Sequence, residues 1–143
     1  MDLILDCKFV EDTMKITFIE DGVAPRTSLE NSSERTNIII NISETVCEIR
    51  SEDGGIIKIE FLEEDEFKLK CFSTDHKPAI NNMDTDSKTY SSLSISRISG
   101  EAKYIHSVRV KYPEGWAGIF KNARKMETDY TASYDCQRAT KLF

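Results

Sequence analysis

The 143-residue chain is predicted to be mainly β, an antiparallel β-sandwich or open barrel of about eight strands. Two observations carry that expectation. Between Thr36 and Phe72 apolar residues return at every second position: Ile38, Ile40 and Ile42; then Val46; then Ile57, Ile59 and Phe61; then Phe67, Leu69 and Cys71. That period places one face of a sheet against a core and the other against water. The segments are also short and bounded by polar turn residues, which is how hairpin-linked strands look in sequence.

In chain order, Leu3–Val10 and Met14–Ile19 read as a hairpin joined by Glu11, Asp12 and Thr13. Glu20 to Arg35 carries Gly22, Pro25 and a polar cluster, so a long loop or crossover is expected. Strands follow at 36–42 and 45–50. Glu52-Asp53-Gly54-Gly55 is a strong hairpin turn because glycine tolerates the positive φ of tight turns. Strands at 56–62 and 66–72 come next. Residues 73–88 have little apolar content and read as a long loop. Strands resume at 89–98 and 102–112. Ile119, Phe120, Ala123 and Met126 then recur at helical spacing, predicting a helix near 117–127, with a second around 133–140. Two packed sheets ending in these one or two short C-terminal helices satisfy the pattern, and residues 1–143 read as one β-rich domain.

Composition narrows the function classes. No apolar run approaches the roughly 20 residues of a membrane helix. The first residues, Met1 to Asp6, lack the basic region of a signal peptide, so the protein is expected to be cytoplasmic, or secreted with its signal removed. The net charge of −6 is unevenly spread: residues 1–66 hold 17 acids against 6 bases, and residues 67–143 hold 8 against 13. Long nucleic acid is an unfavourable partner for such a chain, as is a membrane, while a local basic face is compatible with it. Cys7, Cys47, Cys71 and Cys136 have no metal-type spacing and are expected to be reduced thiols in an apolar role.

Reactive centres are hard to find. The cluster Glu60, Glu63, Glu64, Asp65 and Glu66 lacks the spacing that wraps a Ca²⁺ ion and reads as a solvated turn. Asp75, His76, Asp84 and Asp86 read as loop residues. Ser107 beside His106 is no dyad, because strand neighbours point to opposite faces. Neither a metal nor a cofactor is expected. The best candidate surface is the strand 103–112, where Lys103, Arg109 and Lys111 share one face and Tyr104, His106, Val108, Val110 and Tyr112 the other. A row of cations holds phosphate or carboxylate well. The expected ligand-binding residues are Arg97, Tyr104, Arg109, Lys111 and Trp116, with the aromatic rings stacking on the ligand.

The reading is a non-enzymatic binding module acting through protein–protein interaction or self-assembly, its partner a protein or further copies of itself. The alternative is a binder of a small anionic ligand, a nucleotide or acidic sugar, on a basic sheet face or between subunits.

Overall fold

The computed structural model describes residues 3–20, 22–30, 36–81, 84–116 and 124–139. They form nine strands: β1 (Leu3–Glu20), β2 (Arg26–Glu30), β3 (Ile38–Ile42), β4 (Val46–Ser51), β5 (Ile56–Glu64), β6 (Lys68–Lys77), β7 (Asp86–Ser96), β8 (Glu101–Tyr112) and β9 (Arg124–Arg138). Every pairing is antiparallel. β1 bonds β3 through Leu3–Cys7 and bonds β9 from Leu5 to Glu20, so β1 and β3–β9 close into an eight-stranded up-and-down barrel. β2 lies outside that ring and extends it along Met14–Phe18 of β1. The end holding Leu3, Glu64, Ser96 and Arg138 is called lower here, and the end holding Glu20, Lys77, Tyr112 and Arg124 upper.

Closure replaces the expected sandwich or open barrel, and the reason lies in β1. Its supposed hairpin is one strand with a bulge at Val10, where the register passes from Phe9↔Tyr134 to Glu11↔Ser133. The extra residue shifts the inward parity from Leu5, Cys7 and Phe9 to Asp12, Met14 and Ile16. In sequence that parity break looks like a turn. In space it bends one long strand that pairs on both sides.

The C-terminal helices are also corrected. Residues 124–127 begin β9, and 133–138 end it; the remainder of the first predicted helix, 117–123, and the last residue of the second lie outside the described residues. From Lys125 to Cys136 the chain alternates Met126, Thr128, Tyr130, Ala132 and Tyr134 with Glu127, Asp129, Thr131, Ser133 and Asp135. Pairing with β1 on one side and β8 on the other satisfies its backbone along most of its length. The expected 20–35 loop contains β2. The 73–88 loop is shorter than predicted too, since β6 runs to Lys77 and β7 starts at Asp86, with Lys77 opposite Ser87.

The lower half of the barrel is filled. Ile40, Cys47, Cys71, Leu93, Ala102 and Ala132 are wholly excluded from solvent, with Leu5, Ile38, Ile42, Ile49, Ile59, Leu69, Ile95, Tyr104 and Tyr134 packed among them. Eight strands enclose about the width that side chains alone can fill. All four cysteines are joined, Cys7 to Cys136 and Cys47 to Cys71, in place of the free thiols expected. Barrel closure is what brings Cys7 directly opposite Cys136, although they lie 129 positions apart. Gly100, at φ +76°, turns β7 into β8, and its carbonyl accepts from Cys136 N–H at 2.9 Å. A Cβ there would meet the Cys136 carbonyl oxygen at 2.4 Å, so the turn excludes any side chain. Among the described residues no helix is long and apolar enough to cross a membrane.

Candidate functional site

The barrel wall is hydrogen-bonded all round only in its lower half. β5 and β6 pair at Glu64↔Leu69, Glu63↔Lys70 and Phe61↔Cys71, and above Cys71 they separate. β6 continues to Lys77 bonded to β7 alone. The parity of its ladder follows from two bonds: Phe67 C=O accepts from Arg97 N–H on the β7 side, and Lys68 C=O accepts from Asp65 N–H on the β5 side. Odd residues of β6 therefore bond β7; on the β5 side the last bridge, Phe61↔Cys71, uses the Phe72 N–H, so the Phe72 C=O and the N–H and C=O of Thr74 and His76 point into the opening. No strand takes them among the described residues.

The side chains around this edge agree that it is open. Ile57 has the inward parity of the buried Ile59, yet it is 41% exposed. Phe72 and Ile56 are 38% and 53% exposed. Cys71 and Leu69 face the core, so Phe72, Thr74 and His76 face outward, while Ser73 and Asp75 face the lumen. His76 Nε2 lies 3.1 Å from Asp86 Oδ1, tying the upper end of β6 to β7. That contact, led by the hydrogen bond, holds the Asp86 carboxyl below the usual range.

Inside the barrel, just above the packed floor, sits a polar layer. Ser91 Oγ and His106 Nδ1 are 2.9 Å apart on adjacent strands β7 and β8. Tyr130 O–H donates to Asp12 Oδ2 at 3.0 Å, and Asp12 is buried at 8% exposure. Burial, then the neighbouring Asp12, pushes the Tyr130 phenol well up, so it stays a donor. Burial raises Tyr104 as well, partly offset by its hydrogen bond with Ser91. Sequence reasoning ruled out Ser107, the chain neighbour of His106, and offered no other partner. The partner is Ser91, which register alone brings opposite it. Period-two alternation shared by 87–95 and 102–112 was the available signal, but the offset between the two strands was not.

The five expected ligand residues are not gathered at one place. Tyr104 points into the core, whereas Arg109 and Lys111 point out of the same strand. Arg97 stands in the β7–β8 turn at the lower end, where its guanidinium bonds Glu64 Oε2 at 3.1 Å and the Asp65 carbonyl. Lys111 is at the upper end of β8, roughly 30–35 Å away at ordinary strand rise. Arg109 is held by Asp129 at 3.0 Å and Glu127 at 3.8 Å. Trp116 packs edge-to-face on Tyr112, ring centres 4.9 Å apart.

Burial pushes the Asp129 carboxyl up, but hydrogen bonds from Ser107 and Arg109 outweigh it and leave the group below its ordinary value. A depressed carboxyl stabilises the fold above its unfolded pKa of about 3.9 and loses that contribution as pH falls through the lower folded value. Asp129→Asn is expected to narrow the gap between melting temperatures at neutral pH and below about pH 4. Melting curves of both proteins across that range check it; identical pH profiles would remove Asp129 from the acid response.

No family model matches the chain, and no curated protein matches it.

Proposed function

We propose that the protein is a non-enzymatic binding module acting through protein–protein interaction, and that its interaction surface is the open edge of β6. The carrying observation is the row of backbone groups, the Phe72 C=O with both groups of Thr74 and His76, that take no strand partner among the described residues, flanked by exposed Phe72, Ile56 and Ile57. An extended chain satisfies such an edge by adding a strand, and side chains beside the edge supply selectivity. Natural proteins usually blunt free edges with bulges, charges or a covering element. Here the three outward residues are aromatic, hydroxyl and imidazole, and the charged residues Asp75 and Lys77 stand on the other face.

The small-anion alternative has less support, since Arg97 and Arg109 already hold carboxylates. A small ligand in the lumen has one observation in its favour, the Ser91–His106 and Asp12–Tyr130 layer at the base of the open half. The exposed outward residues Asp6, Lys8, Lys58, Glu60 and Lys103 support a wall facing water, because lipid asks for an unbroken apolar band. Two disulfides favour the secreted setting over the cytoplasmic one.

Immobilised peptides of alternating apolar and polar residues test the reading against wild type and Thr74→Pro. The Thr74 N–H points away from β7, so proline there removes an edge donor and leaves the β6–β7 ladder whole. Wild type is expected to be retained, and the variant at least about tenfold more weakly, the cost of one main-chain bond plus a clash. Equal retention of the two, or none of either by protein that is monomeric in solution, overturns strand addition.

A further inference from the structure

Resting on that reading, we infer that the occupant of the β6 edge is a second copy of this chain, its own β6 added antiparallel about a two-fold axis through Thr74. Only even residues present main-chain groups to the opening, so even must meet even, and the axis passes through a residue and not between two. An axis at Ser73 would send His76 opposite Lys70, already paired to β5, and an axis at Asp75 would set that carboxylate against its own mate. An axis at Thr74 uses the whole free segment. Centred there, Thr74 meets its own mate, and Phe72 meets His76 of the other copy in both directions. The Thr74 pair exchanges two main-chain hydrogen bonds and each Phe72–His76 pair adds one, from the His76 N–H to the Phe72 C=O, about four in all.

The same register sets every side chain opposite a compatible one. On the outer face stand a threonine pair and two aromatic–imidazole pairs; on the lumen face Ser73 stands opposite Asp75 in both directions. Threonine pairs, ring pairs and hydroxyl–carboxylate pairs are the cross-strand combinations that stabilise sheets. No like charges are directly opposed. The one like-charge approach is the diagonal between the two Asp75 residues, both exposed to water, which screens it. Lys77 falls opposite Cys71, where β5 already pairs and the new ladder ends.

Beyond the edge, the outer wall offers more contact. Phe72 is the Cα partner of Ser92, and Ser92 of Ile105, while Tyr90 is the partner of Thr74. Phe72, Tyr90 and Ile105 are 37–38% exposed and, with Ser92, Thr74 and Ser107, make a two-row strip bounded by Lys70 and Lys103 below and by Lys88 and Arg109 above. An isologous contact puts this uncharged strip of both copies next to the axis.

The register makes the test specific. Thr74→Cys is expected to form an inter-chain disulfide under mild oxidation, because residues opposed across an axis fall within disulfide reach. Ser92→Cys, one strand further from the axis on the same outer face, is expected not to. Sedimentation of wild type should give a dimer at low and at high salt, since main-chain bonds are little screened. Thr74→Lys sets like charges face to face at an exposed position and should weaken the dimer at least about tenfold with the melting temperature of the subunit unchanged. A monomer at every salt, cross-linking at residue 92 instead of 74, or a dimer that dissociates in salt overturns the self-pairing. If peptides are still retained by wild type and lost by Thr74→Pro, the strand-addition surface stands and only its occupant is wrong. If neither peptides nor a second copy engage, both fail.

Discussion

Removing the Cys7–Cys136 bridge with Cys7→Ala and Cys136→Ala together is expected to cost about 4–5 kcal/mol of unfolding free energy. The bridge spans 129 positions, nearly the whole chain, so it closes the longest loop available to this sequence. In the chain-entropy account a longer closed loop restricts the unfolded ensemble more. The pair also spans the seam between β1 and β9, the contact that completes the barrel. Cys47–Cys71 spans only 24 positions, and its removal is expected to cost less, about 3–3.5 kcal/mol. Denaturant unfolding of the two double variants checks the ranking, and wild type with and without reductant checks the sum. Wild type that unfolds at the same denaturant concentration in both would show that neither bridge contributes.

Leu93→Ala is the second large effect, about 2–5 kcal/mol. Leu93 is wholly buried on β7, with Cys71 of β6 and Tyr104 of β8 as its cross-strand partners. Truncation loses the transfer energy of the removed carbons and leaves a void that the ring of strands is poorly able to collapse around, because each strand is held by both neighbours. Leu29→Ala is the matching control. Leu29, on β2 outside the ring, is 69% exposed, and its loss should change stability by no more than about 0.5 kcal/mol. Equal effects at the two positions would mean that the lower half is not the packed core.

Strand identity was legible wherever alternation ran unbroken, as in Ile38–Ile42, Ile57–Phe61 and Lys103–Tyr112. It failed where alternation changed phase or where inward residues were weakly apolar. Val10 breaks the parity of β1, and that break reads as a turn. In β9 the inward Thr128 and Ala132 are too small or too polar to mark a face, so Ile119, Phe120, Ala123 and Met126 outweighed them and suggested a helix. The upper part of β6 was missed for a related reason: Ser73, Thr74, Asp75, His76 and Lys77 carry no apolar rhythm, because there is little core beside them to face. An absent rhythm at that place is itself the mark of the open wall, but sequence alone cannot tell an open edge from a loop.

The expected cation row shows a different limit. Its parity was right, since Arg109 and Lys111 do share the outer face of β8. Which carboxylates stood beside Arg109 was a matter of neighbouring strands, and Asp129 and Glu127 lie 18 or more positions further along the chain.

By itself the sequence determined that this chain forms antiparallel strands with one greasy and one wet face, because side-chain alternation is a local property of extended backbone. Only the tertiary structure decided that the strands close into a ring, that Cys7 meets Cys136 and Ser91 meets His106, and that the upper edge of β6 takes no strand partner among the described residues. Those outcomes depend on register between segments far apart in the chain. Register is settled by the packing of the whole core, and no short stretch of residues encodes it.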